Sequence, residues 1–178
     1  SPERGKAVFD AGGCFACHTD VKGSGPALAG GPALKTPFGT FYAPNITPDV
    51  ETGAGSWTDD MLARAIREGI GHDGRALYWG MWYQSFAALS DEDLAAVVVY
   101  LRTLPPVRNA LPPTQLPADE QVANARSPQP ITAPVAGPAP GDTKALGRYL
   151  IGVADCTGCH SAWEAPRNPG LLAGGNEI

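Results

Sequence analysis

Two five-residue stretches hold the side chains best suited to chemistry: Cys14-Phe15-Ala16-Cys17-His18 and Cys156-Thr157-Gly158-Cys159-His160. Each sets two thiols two residues apart and follows the second at once with an imidazole. That spacing suits covalent attachment of a haem, with both thiols forming thioethers at the porphyrin edge and the adjacent imidazole reaching the iron. A single copy could be half of a zinc site or a redox dithiol. Two copies, each with its own histidine, use all four cysteines of the chain. The pattern therefore points to two covalently attached haem c groups, held by Cys14, Cys17, Cys156 and Cys159, with His18 and His160 as the proximal iron ligands.

A six-coordinate iron needs a second ligand, a soft thioether or another imidazole. The chain has two methionines and three histidines, which leaves Met61, Met81 and His72 for the first haem. Met61 lies inside a predicted helix beside Leu62, where methionine usually fills core. His72 stands between Gly71 and Asp73, a turn setting. Met81 falls in an irregular, aromatic loop where the backbone can aim sulfur at iron, and it is the favoured ligand. Around this haem Tyr42, Asn45, Trp57, Arg75 and Trp79 could bond propionates or wall the crevice, Arg75 by its charge. No methionine follows His160. Three explanations stand for the second haem: a chain cut short before that ligand, a five-coordinate iron open to a small molecule, or a ligand from His72 or another chain.

The elements that must position these groups are legible in part. Residues 3–12 read as a short helix with Gly5 and Phe9 on one face. Residues 19–55 show little periodicity and many glycines and prolines, as expected of a loop wrapped round a rigid object. Thr58 caps a helix with Asp59 and Asp60 in its first turn, and Gly69 closes it. Ser90 and Asp93 form a capping box for a helix whose apolar face is Leu94, Val97, Val98 and Leu101, with Tyr100 placed to meet the first helix. Pro105 and Pro106 stop it. Residues 107–141 are Pro-rich and aperiodic, which suggests an extended linker or a strap along the surface. After it the chain repeats itself. Gly147 stands nine residues before Cys156 as Gly5 does before Cys14, and Leu28-Ala29-Gly30-Gly31 returns as Leu172-Ala173-Gly174-Gly175. Three parts follow: residues 1–106 around the first haem, the segment 107–141, and residues 142–178 as the start of a second, incomplete copy.

The 178 residues are 43% hydrophobic and 17% charged, a globular composition. A net charge of −5 gives no basis for nucleic-acid binding, and no apolar run is long enough to span a membrane. Thioether haem is attached after export in bacteria, so the expected home is the periplasm, with a signal peptide already removed.

An ordered set of segments adds a resemblance. Ala43-Pro44-Asn45-Ile46-Thr47-Pro48-Asp49, Thr52-Gly53 through Trp57, Arg67-Glu68-Gly69, Asp73-Gly74, Met81 before Ser85-Phe86, and Leu89-Ser90-Asp91-Glu92-Asp93-Leu94 together resemble the multihaem cytochrome c subunits of membrane-associated bacterial dehydrogenases. Alcohol, gluconate and related sugar dehydrogenases and some molybdenum hydroxylases have such subunits. The resemblance implies a mostly α fold of tandem class I cytochrome c domains, the second incomplete, joined by a Pro-rich linker. It implies Met81 as the axial thioether. It also implies an electron carrier without substrate turnover, working between a dehydrogenase catalytic subunit and an acceptor such as quinone, a terminal oxidase or another cytochrome. The family usually has proline after that methionine; Trp82 stands here instead. The rival reading is a dihaem peroxidase with an open second haem, and a haem-based sensor or docking module is a third. Against the peroxidase, no His or Glu acid–base pair stands beside the second motif.

Overall fold

The molecule is organised by a helix crossing that only a glycine permits. The computed structural model describes residues 1–126, 128–161 and 172. Helix α1 (Pro2–Ala11) starts at Ser1, whose hydroxyl accepts from Arg4 N–H, and has a proline in its first turn, which suits that position because no intrahelical partner is lost there. A Cβ on Gly5 would lie 1.9 Å from the Ala96 carbonyl oxygen and 2.8 Å from Tyr100 Cβ. Gly5 therefore lets α1 seat directly on α5 (Asp91–Arg102). One turn on, Phe9 and Tyr100 meet edge to face with ring centroids 5.2 Å apart, the preferred aromatic geometry. Gly5→Ala is expected to destabilise the fold by about 1–3 kcal/mol, the usual cost of overpacking a tight contact, and to lower the thermal midpoint of the holoprotein.

Between these helices lie α2 (Cys14–His18), a hairpin of β1 (Ala33–Thr36) and β2 (Gly39–Tyr42), and α3 (Asp59–Glu68). The hairpin is antiparallel, pairing Ala33 with Tyr42 and Thr36 with Gly39. It sits in the stretch expected to be loop. Its strands are only four residues long, and β1 is exposed along its whole length, so no alternating apolar pattern marks it. Helix α3 begins at Thr58, whose hydroxyl accepts from Met61 N–H, and ends at Gly69 in the left-handed region with φ 72°, as the sequence indicates. A Cβ on Gly69 would fall within 2.7 Å of the Tyr83 ring, so this glycine serves both the helix stop and the packing behind it. A 3-10 turn, Trp79–Met81, and the short α4 (Tyr83–Phe86) then lead to α5.

The core has three patches. Phe9 and Leu28 pack with Val97 and Leu101; Ala54 and Leu62 pack with Val98; Phe86 and Leu89 pack with Val153. The apolar face read from α5 is thus buried on all sides. The fold is mostly helical, as expected, and adds a small two-stranded sheet that is not.

The Pro-rich segment is tied along this body by polar contacts. Asn45 donates 2.7 Å to the Val107 carbonyl, Asn109 donates 2.9 Å to the Ala29 carbonyl, and Thr40 and Gln115 exchange both backbone bonds. Within the segment, α6 (Ala118–Ala125) is a helix its aperiodic sequence does not announce. Farther on, Ile131 N–H donates to Glu68 and Asp91 N–H to Val135. The chain then runs into α7 (Thr143–Val153) and α8 (Cys156–His160).

Candidate functional site

Gly13, at φ 67°, turns the chain out of α1 and into the first cysteine motif. Gly12 lies against Phe86, where a Cβ would come within 3.2 Å of the ring. As a result Cys14, Cys17 and His18 face Met81 across one cleft, whose aromatic sides are Trp82 and Phe86. Residues far apart in the chain meet here because α4, directly after Met81, packs against α3 and the end of α1.

His18 is buried, 3% exposed, and its Nδ1 lies 2.7 Å from the Pro44 carbonyl oxygen. A carbonyl can only accept, so Nδ1 carries the proton and Nε2 keeps its lone pair, the tautomer and orientation that metal-binding histidines need. Burial pushes the His18 pKa down, partly offset by that bond, which keeps the imidazole neutral. Burial likewise pushes the Cys14 thiol up to about 12. Two thiols, an oriented imidazole and a thioether on one cleft suit covalent haem with His and Met axial ligands. Among the described residues no three His, Cys, Asp or Glu side chains converge to hold a bare metal ion.

Met81 is held from outside its own loop. The Asn124 side chain, 5% exposed, accepts 3.2 Å from Trp79 N–H and donates 3.4 Å to the Ala76 carbonyl. Asn124 thus braces the segment that leads into the turn carrying the methionine. Sequence reading missed it, because it lies in the Pro-rich segment with no motif around it. Trp82, immediately after Met81, has φ 58°. A proline could not adopt that angle, so the departure at this position accompanies a different turn. Asn124→Ala is expected to leave two backbone groups without their buried partner, at about 1–3 kcal/mol. The check is a weakened thioether–iron charge-transfer band in the ferric protein.

The other candidates lie elsewhere. Met61 is 37% exposed on α3, neither core filler as expected nor part of the cleft. His72 is exposed and leans on the Trp57 ring, centroids 4.4 Å apart. Of the residues expected around the first haem's edge, Tyr42, Asn45, Trp57, Arg75 and Trp79, none lines the cleft. Asn45 is engaged by Thr47, Thr52 and Val107, Trp57 packs on Ala54, Leu62 and Val98, and Arg75 pairs with Asp73 at 3.1 Å. Tyr42 N–H donates 3.2 Å to the Thr114 hydroxyl in the Pro-rich segment.

The second motif repeats the first in backbone detail. Asp155, at φ 48°, turns α7 into α8 where Gly13 turns α1 into α2. Leu28 N–H donates 3.0 Å to the Thr19 hydroxyl with Leu28 at φ 60°; Leu172 N–H donates 3.0 Å to the Ser161 hydroxyl with Leu172 at φ 72°. His160 is exposed at the end of α8. The Cys159 side chain lies outside the described part, as do residues 173–175 of the second Leu-Ala-Gly-Gly.

A family model for cytochrome c matches residues 2–105. The chain is similar to a nicotinate dehydrogenase subunit of Pseudomonas putida, 44% identical over 175 residues that make 93% of this chain and 14% of that protein. It is similar to the gluconate 2-dehydrogenase cytochrome c subunit of Pantoea cypripedii, 38% identical over 89% of this chain and 37% of the relative. A protein named diheme cytochrome c-type, of Cereibacter sphaeroides, is 36% identical over 93% of this chain and 57% of its own length. The chain thus spans less than two thirds of each of these relatives.

Proposed function

The chain belongs to the cytochrome c family, and from that premise we propose that it is a dihaem electron carrier working beside a dehydrogenase. Haem, once attached, supplies the one-electron redox chemistry. The protein's part is to bind, orient and shield. Cys14 and Cys17 would anchor the first group, the Pro44 carbonyl sets the His18 proton and leaves Nε2 free to ligate, and Met81 would supply the thioether. The meeting of these four side chains on one cleft is the observation that carries the reading.

Residues 142–178 begin a second unit of the same kind, joined to residues 1–106 through 107–141. The support is the repeated turn, helix and Leu–Ser/Thr bond around the second motif. Cys156, Cys159 and His160 are its anchors and proximal ligand. The dehydrogenase partner is supported by the names of the relatives. The donor is then a catalytic subunit and the acceptor quinone, an oxidase or another cytochrome. Export to the periplasm is part of the same proposal and rests on where thioether haem is made.

The test is spectroscopic. The dithionite-reduced protein should show a low-spin first haem that ignores carbon monoxide, and the oxidised protein should not turn over hydrogen peroxide. Carbon monoxide binding at the first haem, or peroxide turnover, would overturn the carrier reading.

A further inference from the structure

The capping box at the start of α5 is completed by a residue from α7. In such a box the N-cap hydroxyl accepts from the third helical N–H, and that residue's side chain bonds back to the N-cap N–H. The first half is intact, with Asp93 N–H 3.1 Å from Ser90 Oγ. The return bond runs through Tyr149 instead: Ser90 N–H donates 3.1 Å to the tyrosine oxygen, and the tyrosine hydroxyl donates 2.6 Å to Asp93 Oδ2. The other carboxylate oxygen accepts 2.6 Å from Arg4 Nε. Three helices, α1, α5 and α7, thus meet on one carboxylate whose side chain is 6% exposed. Burial on its own would raise the Asp93 pKa, but the bonds from Arg4 and Tyr149 outweigh it and hold the group below the ordinary carboxylate value.

Two further contacts lie beside this one. Ser85 Oγ donates 2.9 Å to Asp155 Oδ1, and Asp155 is the residue immediately before Cys156. Val153, fully buried, packs on Phe86 and Leu89, and Phe86 also lines the first cleft. Helix α4 therefore touches the first attachment site on one side and the approach to the second on the other.

The face of α7 that docks is not the face its register matches to the α1 crossing. Gly147, Leu150 and Ile151 correspond to Gly5, Val8 and Phe9. Leu150 and Ile151 remain 43% and 36% exposed, and a Cβ on Gly147 would meet nothing within 4 Å. Docking through Tyr149 and Val153 therefore leaves the crossing face of α7 open.

We propose that Tyr149 is a positioning residue that docks the second haem-attachment motif onto the first, so that one electron passes between the two haems across α4 at a fixed separation. This rests on the reading that both motifs carry haem. The step makes and breaks no bond and moves no proton. The donor iron goes from ferrous to ferric and the acceptor iron from ferric to ferrous.

The experiment uses the two-haem protein, reduced by less than one electron per molecule with a radiolytic pulse, and follows redistribution of that electron between the haems. Tyr149→Phe keeps the ring and removes the hydroxyl, lowering the docked-to-undocked ratio by roughly tenfold or more for a lost charge-assisted bond. Redistribution should slow in Tyr149→Phe and further in Tyr149→Ala, while both midpoint potentials and both absorption spectra stay at wild-type values. Unchanged rates in both variants would overturn the proposal. So would slowing accompanied by shifted potentials, which marks a damaged crevice rather than a lost dock. A denatured mass showing a single haem overturns the proposal together with the two-haem reading, and mass alone tells that case from the others.

Discussion

Met81→Ala is expected to turn the first haem from low-spin to high-spin and to lower its midpoint potential. Met81 is the thioether that faces His18 across the cleft, and thioether ligation favours the reduced iron relative to imidazole or water. Axial ligands shift haem potentials across roughly 0.8 V, so the fall should be plain in a redox titration. Carbon monoxide should bind the reduced variant, since one coordination position is then free. Met61→Ala is the matched control. Met61 is partly exposed on α3 and does not line the cleft, so its loss should leave spectrum and potential as they were. An unchanged spectrum in Met81→Ala removes Met81 as the ligand.

Cys156→Ala combined with Cys159→Ala is expected to leave one covalent haem by mass under denaturing conditions. Thioether bonds survive denaturation, whereas an axial bond to His160 alone does not, so the count is unambiguous. The first haem should keep its low-spin spectrum, because its cleft is lined by none of the substituted residues. Two haems remaining would sink the second attachment site. One haem in the unsubstituted protein would sink it as well.

How much of the fold and the site is legible in the sequence varies with the range of the interaction involved. The cysteine motifs, the caps at Thr58 and Ser90 and the stop at Gly69 are local signals, and the structure has each cap and the stop where the sequence puts them. The shared face of Gly5 and Phe9 and the placing of Tyr100 against the first helix are readable because a helix face repeats along the chain, whereas the closeness of the crossing at Gly5 is not. The hairpin at 33–42 is not, since its strands are four residues long and β1 is exposed along its whole length, so no alternating period marks it. Asn124 and Tyr149 are invisible for a different reason. Each acts through a partner more than 40 residues away, and nothing in an isolated Asn or Tyr tells which backbone group it will meet. The edge residues Asn45, Trp57 and Arg75 show the converse. Their chemistry suits a propionate, and in the structure each is also engaged by a protein partner, which side-chain type alone does not reveal.

The bond from Pro44 to His18 also decides where this protein can be divided. Pro44 holds the imidazole proton, and its neighbour Asn45 is anchored to Val107, with Thr47 bonded to the same residue. A single-haem fragment ending at Pro106, the natural break in the sequence, would strip the anchor from the loop that orients its own iron ligand. The Thr40–Gln115 pair and the Asn124 bonds to Trp79 and Ala76 move the nearest place to stop past α6. Anyone dissecting the molecule into one-haem pieces should cut beyond α6, because the first half of the apparent connector belongs to the cofactor it seems to lead away from.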